Sequence, residues 1–205
     1  LKMKFKVNLS WHTCNSNKFK MVFDYKRKPK VEKRYNIVGK YYRSFYECNL
    51  CGHICALHRF KTNNIYTKEY LDLTYENVGG ISRRFQQIIN LPIKKSDNKN
   101  RAIRVHNFLK NKKANLLDVG SGTGVFLYEM KKKGHTVYGI DLDQRYSNFL
   151  AKKRIKVFVK ELKKIKIKNK FDIITFNKVL EHVKDPVEQL KNYKKLLKKD
   201  GLIYI

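Results

Sequence analysis

The chain has 205 residues, 42% of them apolar and 13% aromatic, enough for one full domain with a buried core, alone or beside a small module. Its formal net charge is +30, but 37 of its 47 basic residues are lysine and only 10 arginine, spread along the whole length. That pattern reads as solvated faces rather than a surface built on arginine's bidentate fork for phosphates and bases, and no apolar run approaches the roughly 20 residues that membrane insertion needs.

The start, LKMKFKVNLSW, has no continuous apolar stretch and is not a secretory signal, so a reduced, cytoplasmic setting is the default. The four cysteines, Cys14, Cys48, Cys51 and Cys55, then read as metal ligands before disulfides. Cys48 and Cys51, followed by Gly52, have the spacing with which two thiolates share one tetrahedral zinc. Cys14 is a third candidate ligand. Its partner at the same spacing would be residue 11 or 17, and these are Trp11 and Asn17. The fourth ligand is therefore open, with His12, His53 or Cys55 as substitutes. The competing reading is buried reduced thiols in a small β-module. The segment YNIVGKYYRSFYEC, 35–48, is rich in β-branched and aromatic residues and predicts sheet. Residues 1–62 are thus expected to form a small, β-rich, cysteine-containing module.

Residues 63–100 are expected to be a helical connector. ISRRFQQIINL places Ile81, Phe85, Ile88 and Ile89 on one helical face. LPIKKSDNKN, 91–100, is polar and reads as a linker or loop. RAIRVHNFLK predicts a helix that begins the main domain, 101–205.

From there strand and helix patterns alternate, the signature of an α/β protein with a parallel sheet. Five short strands are predicted at 115–119, 136–140, 155–159, 171–176 and 202–205, with helices from about residue 124, from about residue 144 and from Pro186. Asp185 caps the last helix, Pro186 suits its first position, Val187, Leu190 and Leu197 share a face, and Gly201 follows its end.

The first of these strands runs into Asp118-Val119-Gly120-Ser121-Gly122-Thr123-Gly124. Glycines permit a tight strand-to-helix turn and close approach of a ligand to the backbone, and the next helix offers free N–H groups. A pyrophosphate site usually spaces its glycines G-x-G-x-x-G; here the spacing is G-x-G-x-G, with Val125 at the later position. The acid two residues ahead of the first glycine repels a pyrophosphate and suits an ammonium or sulfonium group. Asp141, in VYGIDLD at the C-terminal end of the second strand, stands where a carboxylate can take both hydroxyls of a ribose. A ligand with a ribose, a cationic part and no pyrophosphate is S-adenosyl-L-methionine (SAM).

LLDVGSGTGVF, VYGIDLD and FDIITFNKVLEHVKDPVEQLKNYKKLLKKDGLIYI resemble the core of class I SAM-dependent methyltransferases of the small-molecule type. They are similar to ubiquinone-biosynthesis O-methyltransferases and to sugar-pathway methyltransferases, some of which carry an N-terminal zinc-binding module. The resemblance covers 101–205. It implies a Rossmann-like sheet of strand order 3-2-1-4-5. It also implies a further helix and a final antiparallel pair, which the sequence as given lacks, so a C-terminally truncated core is expected. It implies that Asp118, Gly120, Gly122 and Gly124 line the methionine part and that Ser121 and Asn177 also belong to the cofactor site. Asp141 then holds the ribose, Leu142 lies beside the adenine, and Glu161 lies near the adenine amino group.

Chemistry in such a sheet lies beyond the strand C-termini, where the fourth strand delivers Asn177 to His182. His182 is the candidate general base, with a structural histidine as the alternative. The segment lacks both the Asn/Asp-Pro-Pro-aromatic motif and the Pro-Cys nucleophile seen in nucleobase methyltransferases. The expected acceptor is therefore a hydroxyl or carbon of a small metabolite. The rivals are RNA methylation, suggested by the charge, a zinc-binding module on a vestigial fold, and a nicotinamide dehydrogenase.

Overall fold

The computed structural model describes residues 16–29, 41–58, 78–159, 170–183 and 185–205. The chain divides into two compact units, Leu1–Thr74 and Tyr75–Ile205. The segment expected to be a separate connector thus falls partly in the second unit, where its helix packs with the main domain.

In the first unit three antiparallel strands, β1 (Phe19–Tyr25), β2 (Arg43–Cys48) and β3 (Ile54–His58), pair in the order β1-β2-β3. The predicted sheet at 35–48 is realised in β2, while 35–40 lies outside the described residues. Cys48 closes β2 and turns the chain into β3: its N–H donates to His53 O at 2.9 Å, and its carbonyl accepts from Gly52 N–H at 2.9 Å. Gly52 takes φ +72° at this turn, in the left-handed region that favours glycine.

In the second unit five strands form a parallel sheet. They are β4 (Asn115–Val119), β5 (Thr136–Ile140), β6 (Lys156–Phe158), β7 (Phe171–Phe176) and β8 (Leu197–Tyr204). Their order, β6-β5-β4-β7-β8, is the expected 3-2-1-4-5. Among the described residues five α-helices accompany them: α1 (Val78–Ile89), α2 (Asp97–Phe108), α3 (Val125–Lys132), α4 (Gln144–Ala151) and α5 (Pro186–Lys194). Strand alternation divides the core. Leu116, Val137 and Ile173 pack with Val105, Leu127 and Leu150 of the helices on one face. Leu117, Ile174 and Phe176 pack with Tyr193 of α5 on the other.

Two predicted boundaries are corrected. The 91–100 linker is mostly ordered helix: Ile93–Lys95 make one 3₁₀ turn and α2 begins at Asp97. Ser96 starts α2 because its Oγ accepts from Lys99 N–H at 3.4 Å, a capping role that polar composition alone conceals. The last strand starts at Leu197, not 202, and α5 ends at Lys194 instead of reaching Gly201. The ladder steps from Phe171↔Leu197 to Ile173↔Leu202, so residues 198–201 form a bulge. A Cβ on Gly201 would stand 2.9 Å from Phe171 O, so this glycine serves the bulge and not a helix end.

His135, 4% exposed, ties α2 to the N-terminal ends of β4 and β5. Its Nδ1 accepts from Ala114 N–H at 3.2 Å, so its proton sits on Nε2, which faces His106 Nδ1 at 2.9 Å. Burial, then His106 and Lys133, hold its pKa below the ordinary imidazole value. A lowered basic pKa means the unfolded chain binds the extra proton first, so stability falls as the pH drops below the ordinary imidazole range. His135→Asn keeps an acceptor for Ala114 and is expected to cost about 1 kcal/mol at alkaline pH. It should also lose less stability than wild type between pH 7 and 5 in urea denaturation; an identical pH slope would rule out His135 as the source.

Candidate functional site

The site grows from a register coincidence. Asp118 stands opposite Gly139 of β5 on one side and Thr175 of β7 on the other. Period-2 alternation puts Asn177, two residues past Thr175, on the same face. Thr175 Oγ1 donates to Asp118 Oδ1 at 2.6 Å and Asn177 Nδ2 donates to the same oxygen at 2.8 Å. Asp118 is 2% exposed, and burial raises its pKa to about 7, against the two donors and the Arg101 guanidinium and with the Asp141 charge. The donors both end on Oδ1, leaving Oδ2 for a cationic guest.

The glycine loop folds back over this carboxylate. Gly120 N–H and Ser121 N–H both donate to Ile140 O, at 2.8 and 3.2 Å. Gly120 has φ +66°, and a Cβ there would lie 2.6 Å from Val179 Cγ2. Gly124 has φ +71°, and its Cβ would lie 2.5 Å from Leu150 Cδ1. A Cβ on Gly122, by contrast, would meet nothing within 4 Å: this glycine faces open space. Gly122 N–H donates to Asp141 Oδ2 at 2.8 Å and Asp143 N–H to Asp141 Oδ1 at 3.1 Å. Leu142 N–H adds a third backbone bond, so backbone donors fix the Asp141 carboxylate. Burial raises its pKa despite these bonds.

Asp118, Gly120, Ser121, Gly122, Gly124, Asp141 and Asn177 are thus gathered at the C-terminal end of β4, between β5 and β7. Leu142 follows Asp141 and is 71% exposed, an apolar side chain left at the mouth. Two polar atoms of the group, Ser121 Oγ and Asn177 Oδ1, are buried without a hydrogen-bond partner. Because Asn177 Nδ2 is committed to Asp118, its Oδ1 is left as an unused acceptor. A cation acceptor, an oriented diol acceptor and backbone held clear of side chains fit SAM. Glu161 lies outside the described residues.

His182 lies in a 3₁₀ turn, Leu180–His182, beyond β7. Its Nε2 is 3.9 Å from Glu181 Oε1, and its side chain is 48% exposed. The zinc expectation does not carry over to the described residues: no group of three or more His, Cys, Asp or Glu side chains is placed to hold a metal ion. Cys48 is buried and accepts from Leu50 N–H at Sγ, 3.4 Å, while Cys51 is exposed. Cys14 lies outside the described residues.

Four positions around the candidate site escaped sequence reasoning. Thr175 looked like any strand residue, and its register with Asp118 is tertiary. Gly139 leaves room for Ser121, whose Oγ lies 2.7 Å from where its Cβ would be. Val179 roofs Gly120. Arg101 reaches from α2, its side chain 15% exposed and paired with Asp97. A basic residue near a helix start was the only available signal for it.

The raised pKa of Asp118 has a definite sign. Between about pH 4 and 7 the native carboxyl keeps a proton that the unfolded chain has lost, so this group's contribution to stability falls as pH rises through that window. Asp118→Asn removes the titration. The melting temperature of the variant minus that of wild type should therefore rise from pH 5 to 8, and a constant difference would mean that Asp118 titrates normally.

A family profile described as "Methyltransferase domain" matches residues 94–205. The ubiquinone biosynthesis O-methyltransferase of Pelagibacter ubique (strain HTCC1062) is 39% identical over 103 residues, 47% of this chain and 42% of that protein. That of Glaesserella parasuis is 37% identical over 102 residues, 44% and 43% of the two chains. This chain therefore spans less than half the length of the curated relatives it matches. Among solved structures, the plantazolicin methyltransferase BpumL, in complex with SAH, superposes with a TM-score of 0.51 at 16% identity, over 69% of this chain and 54% of its own. A Methanococcus maripaludis protein described as an S-adenosyl-L-methionine-dependent methyltransferase gives 0.50 at 16%, over 62% of each. At these identities the structures speak for the fold alone. The profile match covers more than half of the sequence, on the segment that builds the Asp118 site, and the chain belongs to the methyltransferase domain family.

Proposed function

We propose that this chain binds SAM at the Asp118 site and transfers its methyl group to a hydroxyl or carbon of a small metabolite. The observation that carries the reading is the pairing of opposite charges at two levels. Asp118 Oδ2 and Asn177 Oδ1 offer acceptors for an ammonium, and Arg101 offers a cation for the carboxylate of the same amino-acid moiety. Asp141, steadied by Gly122 and Asp143, takes the ribose hydroxyls, and Leu142 covers the base.

When bound, SAM supplies an electrophilic methyl on a sulfonium. What the chain contributes is alignment and exclusion. The glycine loop lets backbone approach the guest closely, and Val179 over Gly120 closes one side. In-line displacement draws most of its acceleration from such positioning. His182, at the lip with Glu181 within 3.9 Å of its Nε2, is the group available to take an acceptor proton. The small-metabolite acceptor rests on the absence of nucleobase motifs in 177–183 and on the relatives' printed role in ubiquinone biosynthesis. A phenolic hydroxyl is the acceptor class this favours.

Calorimetric titration with SAH is expected to show one site, and titration with NAD none; NAD binding tighter than SAH would overturn the reading. Asp141→Ala should weaken SAH at least about tenfold, since it removes the ribose acceptors and the Gly122 tether. His182→Ala should leave SAH affinity intact while slowing transfer to a catechol about 10²-fold or more. Unimpaired transfer would remove His182 as the base.

A further inference from the structure

Resting on that reading, one ion-pair node at the edge of the site has a separate role. Asp97 is the first residue of α2, and its Oδ2 is shared by two cations from different elements. Arg101 Nη2, one helical turn on, lies at 2.5 Å, and Lys178 Nζ, beyond the end of β7, lies at 3.4 Å. The Lys178 side chain is 70% exposed, and the constraint on this residue lies in its backbone. Its φ of +59° is in the left-handed region that a side chain disfavours, so its backbone persists because its surroundings hold it. It also sits between Asn177, which donates to Asp118, and Val179, which packs over Gly120. The residue that anchors Lys178 therefore helps to set both neighbours.

We propose that Asp97 is a positioning residue that links the cofactor's carboxylate subsite at Arg101 to the lip segment 177–183 through one shared carboxylate oxygen. Without cofactor, Asp97 divides its Oδ2 between Arg101 and Lys178. A cofactor carboxylate on Arg101 satisfies that guanidinium, and the Asp97 charge is released to Lys178. The strained turn is then held more firmly, with Val179 on Gly120 and His182 at the lip. Cofactor binding thus orders the acceptor side, and the site loads methyl donor first.

Hydrogen exchange of the backbone amides in 177–183, measured with and without saturating SAH, tests the link in wild type, Asp97→Asn and Lys178→Met. In wild type, SAH should slow exchange there by about tenfold, the size of an ordinary coupling between sites. Both variants should lose that slowing while still binding SAH. Melting curves verify that each variant is folded; if Asp97→Asn is not, Lys178→Met decides alone. SAH-dependent slowing that survives in a folded variant overturns the link but leaves the cofactor reading intact. A wild-type chain that binds no SAH overturns both.

Discussion

One buried carboxylate organises this domain. Asp118 sits on the central strand, opposite a hydroxyl on β7 and a glycine on β5. A carboxyl in that position costs stability when charged, which its raised pKa reflects. The domain accepts that cost and surrounds the group with partners: Thr175 of β7, Asn177 just past the end of that strand, and the distant charge of Arg101 from a helix. The loop at 120–124 then has to pass over it, which requires backbone with positive φ and almost no side-chain volume next to Val179 and Leu150. Site and strain have one origin.

The same constraint explains how a chain of net charge +30 can present a site for a cation. The lysines among the described residues are mostly exposed, where water and salt screen them. The acids that matter are at the strand ends: Asp118 is buried, Asp141 is held by the backbone N–H groups of Gly122, Leu142 and Asp143, and Asp143 caps α4. Charge in a partly desolvated crevice acts far more strongly than the same charge in solvent. Net charge is therefore a poor guide to the guest, and the local carboxylates are a good one.

How much was legible depended on how local each determinant is. The strands 115–119, 136–140 and 171–176 were placed to the residue, because apolar runs bounded by glycine or acidic turns are local signals. The α2 start and the β8 start were misplaced. Ser96 caps a helix inside a stretch whose composition reads as loop, and β8 begins with a bulge that only its pairing with β7 reveals. In the cysteine-containing unit, spacing at Cys48 and Cys51 suggested a metal, but spacing cannot supply the remaining ligands, and the described residues do not bring them together.

By itself the sequence determined the alternation of strands and helices, the G-x-G-x-G turn and the two acids at strand ends, since each depends on residues within a few positions of one another. Tertiary structure alone decided which atoms face one another: that Thr175 and Gly139 flank Asp118, that Val179 roofs Gly120, that Arg101 reaches the site from α2, and that Asp97 spans Arg101 and Lys178. Those pairings join residues up to 81 positions apart, as Asp97 and Lys178 are, and only register between parallel strands and the packing of a helix across their ends brings such residues into contact.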